Sequence, residues 1–154
     1  MSARPSAFRL GLMVICIILA PPLLGVPHAR QSEHAEVQDL KVARMPLRGT
    51  AVQAAAYLRL RNTGEAPLRL ISAASPLAKR VEFHRMSRSR GAQRSTRLPE
   101  GVTVPPGATV AFARGGLELR LSGWRLAPRH WAEVPLTLRF ADGSELALSA
   151  PMRR

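Results

Sequence analysis

The residues of this chain best suited to chemistry are His84 and Met86, spaced His-x-Met in the run Val81-Glu82-Phe83-His84-Arg85-Met86. That run alternates as a β-strand does, so residues two apart point to one face. An imidazole and a thioether on one face form half of a soft-metal site. A second segment, Leu117-Glu118-Leu119-Arg120-Leu121, follows a Gly115-Gly116 turn and presents Glu118 and Arg120 at the same spacing. Glutamate is a hard oxygen ligand, and a cationic Arg120 beside a metal ion raises its energy. Met45, His34 and His130 could supply further ligands. The plainer alternative is equally open. A single His-x-Met in a β-protein is compatible with packing plus a hydrogen-bonded imidazole, and Glu118 and Arg120 with strand charges. Met45 then anchors a loop over the core, and Trp124 and Trp131 cap the end of the fold.

Cys16 is the only cysteine, and it lies in the apolar stretch Leu10 to Leu24 behind Arg4 and Arg9. A basic start followed by such a stretch is a secretory leader pattern. Pro21 and Pro22 interrupt it, which argues against a spanning helix. Residues 1–29 are therefore read as a signal peptide, with an uncleaved anchor as the alternative. Residues 30–36 are read as a tether and 37–154 as one domain. Ile15 before Cys16 lacks the small side chain of a lipoprotein cleavage site, so Cys16 reads as an ordinary apolar leader residue. A domain without cysteine has no disulfide and no thiolate ligand. Any soft-metal chemistry must then use His and Met.

The formal charge is +13. Loss of Arg4 and Arg9 with the leader leaves 21 basic and 10 acidic residues, or +11. Such a field attracts an acidic partner or an anionic membrane surface. Nucleic acid is excluded as the partner, because the chain is read as exported, aromatics are few and no nucleic-acid motif is present. Enzyme activity is not expected: the chain has no Gly-x-Ser-x-Gly elbow, no phosphate-binding glycine loop and no three-ligand zinc cluster.

The elements that must position His84 and Met86 are short strands with frequent turn punctuation. Strands are expected at Val37 to Val42, Ala54 to Arg61, Leu68 to Ala74, Val81 to Ser87, Gln93 to Leu98, Ala108 to Phe112, Leu117 to Leu121, Glu133 to Phe140 and Glu145 to Ala150. Asn62 to Glu65, Arg88 to Gly91 and Asp142-Gly143 read as turns, and Met45 to Gln53 and Leu126 to Arg129 as loops. No sustained helical period is present after the leader. The expectation is an all-β fold, a β-sandwich.

In order along the chain stand Ala54-Ala55-Ala56-Tyr57-Leu58-Arg59-Leu60-Arg61-Asn62-Thr63-Gly64, Ala74-Ser75-Pro76 leading to Val81-Glu82-Phe83-His84, Val104-Pro105-Pro106-Gly107, Gly115-Gly116-Leu117, and Val134-Pro135-Leu136-Thr137-Leu138-Arg139-Phe140. This series resembles the PCu(A)C-type periplasmic copper chaperones, from about Glu36 to Met152. The resemblance implies a cupredoxin-like, Ig-like sandwich that binds Cu(I). It also implies a copper-acceptor partner, such as a cytochrome oxidase subunit, and a periplasmic location. His84 and Met86 match the family's first ligand pair. The further Met of the family falls near Ser95, and its closing His-x-Met becomes Glu118-x-Arg120. The implied site is a degenerate copper site. Convergence of the two segments would place His84 against Glu118, with a direct bond that raises the imidazole pKa.

Overall fold

The computed structural model describes residues 30–45, 53–125 and 133–153. The leader, the loop Leu126 to Arg129, His130 and Trp131 lie outside the described residues. Ten strands are present among those described. They are β1 (Ala35–Met45), β2 (Gln53–Asn62), β3 (Leu68–Ala74), β4 (Ala78–Ser89), β5 (Ala92–Arg97), β6 (Val102–Val104), β7 (Thr109–Phe112), β8 (Leu117–Trp124), β9 (Glu133–Phe140) and β10 (Glu145–Arg153). The fold is all-β, as the alternating pattern requires.

Hydrogen bonding runs through all ten strands in the order β5-β4-β8-β7-β2-β1-β10-β9-β3-β6. Among the described strands, the halves of this order are joined by the parallel pairing of β1 with β10, Val42 opposite Met152. Both halves turn apolar faces to one core. From the first half come Leu58, Leu60, Phe83, Phe112, Leu119 and Leu121; from the second come Leu70, Val104, Leu136, Leu138 and Phe140. Phe83 and Phe112 meet with ring centroids 6.3 Å apart. The alternation in β9 is complete: Val134, Leu136, Leu138 and Phe140 are buried, while Glu133, Pro135 and Arg139 are exposed.

β1 is longer than its sequence suggests, because it is bulged. Gln38 pairs with Arg59, but the next pair is Lys41 with Tyr57, so one extra residue is inserted near Asp39. Asp39 takes a left-handed φ of 54°. An extra residue shifts the alternation by one. Val37, opposite Leu60, and Val42, opposite Ala56, thereby both face the core although they are an odd number of residues apart. Lys41 and Ala43 are sent to the other face.

The turn residues Asn62 to Gly64 do more than reverse the chain. Asn62 is fully buried. Its amide donates to Ala66 O at 2.7 Å and to Val104 O at 3.0 Å, and its Oδ1 accepts from Gly64 N at 2.9 Å. One side chain thus ties β2, its own turn and β6 together, from the middle and the end of the strand order.

Candidate metal site

β4 lies between β8 and the edge strand β5. Phe83 turns into the core, so Glu82, His84 and Met86 must share the outer face. The antiparallel register sets His84 opposite Glu118 and Glu82 opposite Arg120. On the other side, His84 is opposite Arg97 and Met86 opposite Ser95. Residues directly opposite across a ladder share a face. Hence Glu82, His84, Met86, Ser95, Arg97, Glu118 and Arg120 form one polar cluster on the outer face. Ala55, opposite Arg120 on β2, is fully buried and leaves room beneath it.

Glu118 is only 3% exposed. Gly115, at φ 82°, turns the chain so that its N–H donates to Glu118 Oε1 at 3.2 Å. Glu118 Oε2 lies 3.7 Å from Arg120 Nε, and neither atom has a hydrogen-bond partner among the described residues. Arg120 instead sends Nη2 to Met86 Sδ at 2.9 Å. Arg120 starts opposite Glu82 and reaches Met86, so its guanidinium must cross the His84–Glu118 row between them. A cation of the protein's own therefore stands among the three side chains that could hold a metal ion.

His84 and Glu118 come together as register partners, but the expected direct bond is not formed. The imidazole goes to Ser95 Oγ through Nδ1 at 3.0 Å and toward Glu82 Oε2 through Nε2 at 3.7 Å. Its pKa is lowered, not raised. Burial disfavours the imidazolium first and the Arg120 guanidinium second, and together they outweigh the Glu82 carboxylate. The sequence expectation failed because Glu118 is occupied by Gly115 and Arg120. A neutral imidazole is the form that ligates a metal.

The lowered pKa has a consequence for stability. Above the ordinary imidazole value of about 6.5 the ring is neutral in both folded and unfolded chains, and its titration contributes nothing. As pH falls through that value the unfolded chain binds the proton first, so folding is disfavoured until the folded ring also protonates. The metal-free protein should therefore lose stability on acidification below about pH 6.5, and His84→Gln should flatten that loss. Urea midpoints taken from pH 7.5 to 5 on both proteins check this. A decline of equal steepness in the variant would remove His84 as its cause.

Met45 is kept away from this cluster. It ends β1 opposite Gln53, and β2 and β8 intervene between β1 and β4 on the Met45 side of the sheet. Three strand spacings are roughly 14 Å. His34 is also elsewhere, beside the Asn62 turn, where its carbonyl accepts from Thr63 N at 2.9 Å. Sequence reasoning missed Glu82, which bridges His84 and Arg97 with Arg97 Nε 3.1 Å from Oε1. Its position two residues before His84 was the signal available. It also missed Tyr57, whose pKa is raised by burial and then by the Glu118 carboxylate. Ser95, the position where a further Met falls in the resemblance, lies opposite Met86 and against His84.

Known proteins can be set beside this geometry. The copper-bound PCuAC domain of PmoF2 superposes with a TM-score of 0.61 at 24% identity, covering 82% of this chain and 97% of that domain. The apo PCuAC domain of PmoF1 gives 0.62 at 18%, covering 82% and 98%. Cu(I)-bound DR1885 from Deinococcus radiodurans gives 0.59 at 24%, covering 79% and 81%. A protein of Leifsonia xyli subsp. xyli (strain CTCB07), named as lipoprotein Lxx21020, is 28% identical over 99 residues, which is 64% of this chain. The aligned stretch spans 60% of that relative's own length. The sequence profile of the LpqE-like lipoproteins matches residues 35–152, from the start of β1 to the penultimate residue of β10. The chain belongs to the LpqE-like family, and its fold is that of the PCuAC domains.

Proposed function

We propose that this protein handles copper outside the cytoplasm, taking Cu(I) as cargo at His84 and Met86 with Glu118 beside them. The observation that carries this reading is the buried Glu118 Oε2, which has no hydrogen-bond partner among the described residues and belongs to the register partner of a neutral His84, on the face that also carries the Met86 thioether. A buried carboxylate oxygen without a hydrogen bond is costly; Arg120 Nε, 3.7 Å away, relieves that cost in part, and a bound metal cation would relieve it further. Copper would have to displace Arg120 from Met86. Two soft ligands and a displaced guanidinium make a weak site, suited to passing the ion on rather than storing it. The ion's destination would be an acceptor protein such as a cytochrome oxidase subunit. The location would be the periplasm, either free after leader cleavage or anchored to the membrane. The role is binding and delivery, not catalysis.

One observation favours a second reading. Arg120 already bonds Met86 Sδ and stands against Glu118, so an internal cation satisfies the cluster without metal. The protein would then be a non-metal binding module that docks an acidic partner or an anionic membrane. A competition titration with a Cu(I) chelator, under reducing conditions, separates the two. Under the copper reading the native protein takes Cu(I) weakly, and His84→Ala with Met86→Ala abolishes it. If the native protein and the double variant are alike, the second reading replaces the first.

A further inference from the structure

We infer that the outer face of β10, β1, β2 and β7 holds a second site, for a small organic phosphate. An open cleft of about 760 Å³ lies there. Its charged lining is Lys41, Arg44, Arg59, Arg114 and Arg153, against the single carboxylate of Asp39. None of these five cations forms an ion pair among the described residues. The arginine–carboxylate pairs all lie elsewhere, at Arg69–Glu100, Arg97–Glu82, Arg120–Glu118 and Arg139–Glu145. Like charges gathered around one cleft repel one another, and an anion bound between them relieves that repulsion.

The backbone explains how the cleft is built. The bulge at Asp39 turns Lys41 and Ala43 to the outer face, where Lys41 is opposite Tyr57. Arg153 comes beside Ala43 through the parallel β1–β10 pairing, and Arg59 stands opposite Ala111. Ala43, Ala111 and Ala113 line the floor. Their short side chains leave space between the long basic ones. The planar guanidinium fork matches phosphate oxygens in pairs. The volume lies in the range of small-molecule sites, about 300–1,000 Å³, and exceeds what a bare phosphate ion fills. The cleft has room for an organic group on the phosphate, and the apolar portion of that group fits the alanine floor. Tyr57 lines this cleft and also feels Glu118, so it stands between this site and the candidate metal cluster. The inference does not depend on copper binding.

The phosphate could reach the cleft as a free metabolite or as a lipid headgroup. The test uses the full-length protein with two probes at fixed ionic strength, glycerol 3-phosphate and phosphatidylcholine vesicles containing phosphatidylglycerol. The cleft variant is Lys41→Gln with Arg59→Gln. The control is Arg88→Gln with Arg90→Gln, which removes the same charge from the β4–β5 hairpin. All four residues are exposed, and circular dichroism checks that both variants fold. Glycerol 3-phosphate should bind about tenfold more weakly to the cleft variant, with the control unchanged. Vesicle binding that falls in the cleft variant alone assigns the lipid headgroup. Vesicle binding that falls equally in both assigns the free organic phosphate. The inference is overturned if glycerol 3-phosphate does not bind the native protein, or if both variants weaken its binding equally.

Discussion

Replacing Glu118 with His and Arg120 with Met should tighten Cu(I) binding by at least about a hundredfold, since each tenfold gain needs only about 1.4 kcal/mol. The register places both new side chains correctly. Position 118 lies opposite His84, and the Arg120 side chain already reaches Met86 Sδ. The two substitutions are not equivalent. Arg120→Met removes a cation from beside the metal ion, and at about 4 Å that repulsion is worth roughly 4 kcal/mol near a protein surface. It also frees the Met86 thioether. Glu118→His adds a soft ligand but leaves the guanidinium in place. Arg120→Met alone should therefore gain more affinity than Glu118→His alone. The single change should also destabilise the metal-free protein, because it strands a buried carboxylate. Adding Glu118→His should restore that loss. Ser95→Met, beside His84 and opposite Met86, should tighten binding further. The measurement is a competition titration against a Cu(I) chelator, with thermal melts of each variant. A native protein that already binds as tightly as the double variant would show that the site is not degenerate.

Asn62→Ala should cost about 3 kcal/mol or more of folding stability, one of the largest losses available from a polar residue here. Three hydrogen bonds disappear at once, to Ala66 O, to Val104 O and from Gly64 N. The bond to Val104 O is buried and is left without replacement, while those to Ala66 O and Gly64 N lie in the part-buried turn. Unsatisfied buried groups cost more than the bonds themselves contribute. For a domain of this size the melting temperature should fall by about 10 °C. Asn62→Asp keeps the acceptor for Gly64 but loses both donors and buries a charge, so it should not rescue. A calorimetric melt of Asn62→Ala within two or so degrees of the native protein would mean that β6 is held by other contacts.

Most strands could be read from residue order. Ala54 to Arg61, Leu68 to Ala74 and Glu133 to Phe140 alternate because one side of each faces a core, and that periodicity is local. β6 is absent from the expected strands, since its three residues carry too little pattern. β1 was read short, as Val37 to Val42, because its alternation breaks at Asp39. A bulge looks like a lost pattern until the partner strand is known. The one continuous strand order, joined by β1 and β10, pairs segments from opposite ends of the domain. No local signal reports such a pairing.

The same division holds at the candidate site. The sequence determined that His84 and Met86 share a face, because that needs only the two-residue period of a strand. It determined that Glu118 and Arg120 share a face by the same local spacing; that they stand where a second pair would be is what the resemblance implied. Tertiary structure decided the partners. Glu118 accepts from Gly115, Arg120 bonds Met86, and His84 turns to Ser95 and Glu82. Burial and the Arg120 charge then lower the His84 pKa, where sequence reasoning expected a rise. Face and spacing follow from the backbone repeat and are written into neighbouring residues. Which of several groups on a crowded face a side chain meets, and how dry that place is, depends on strands brought together from distant parts of the chain.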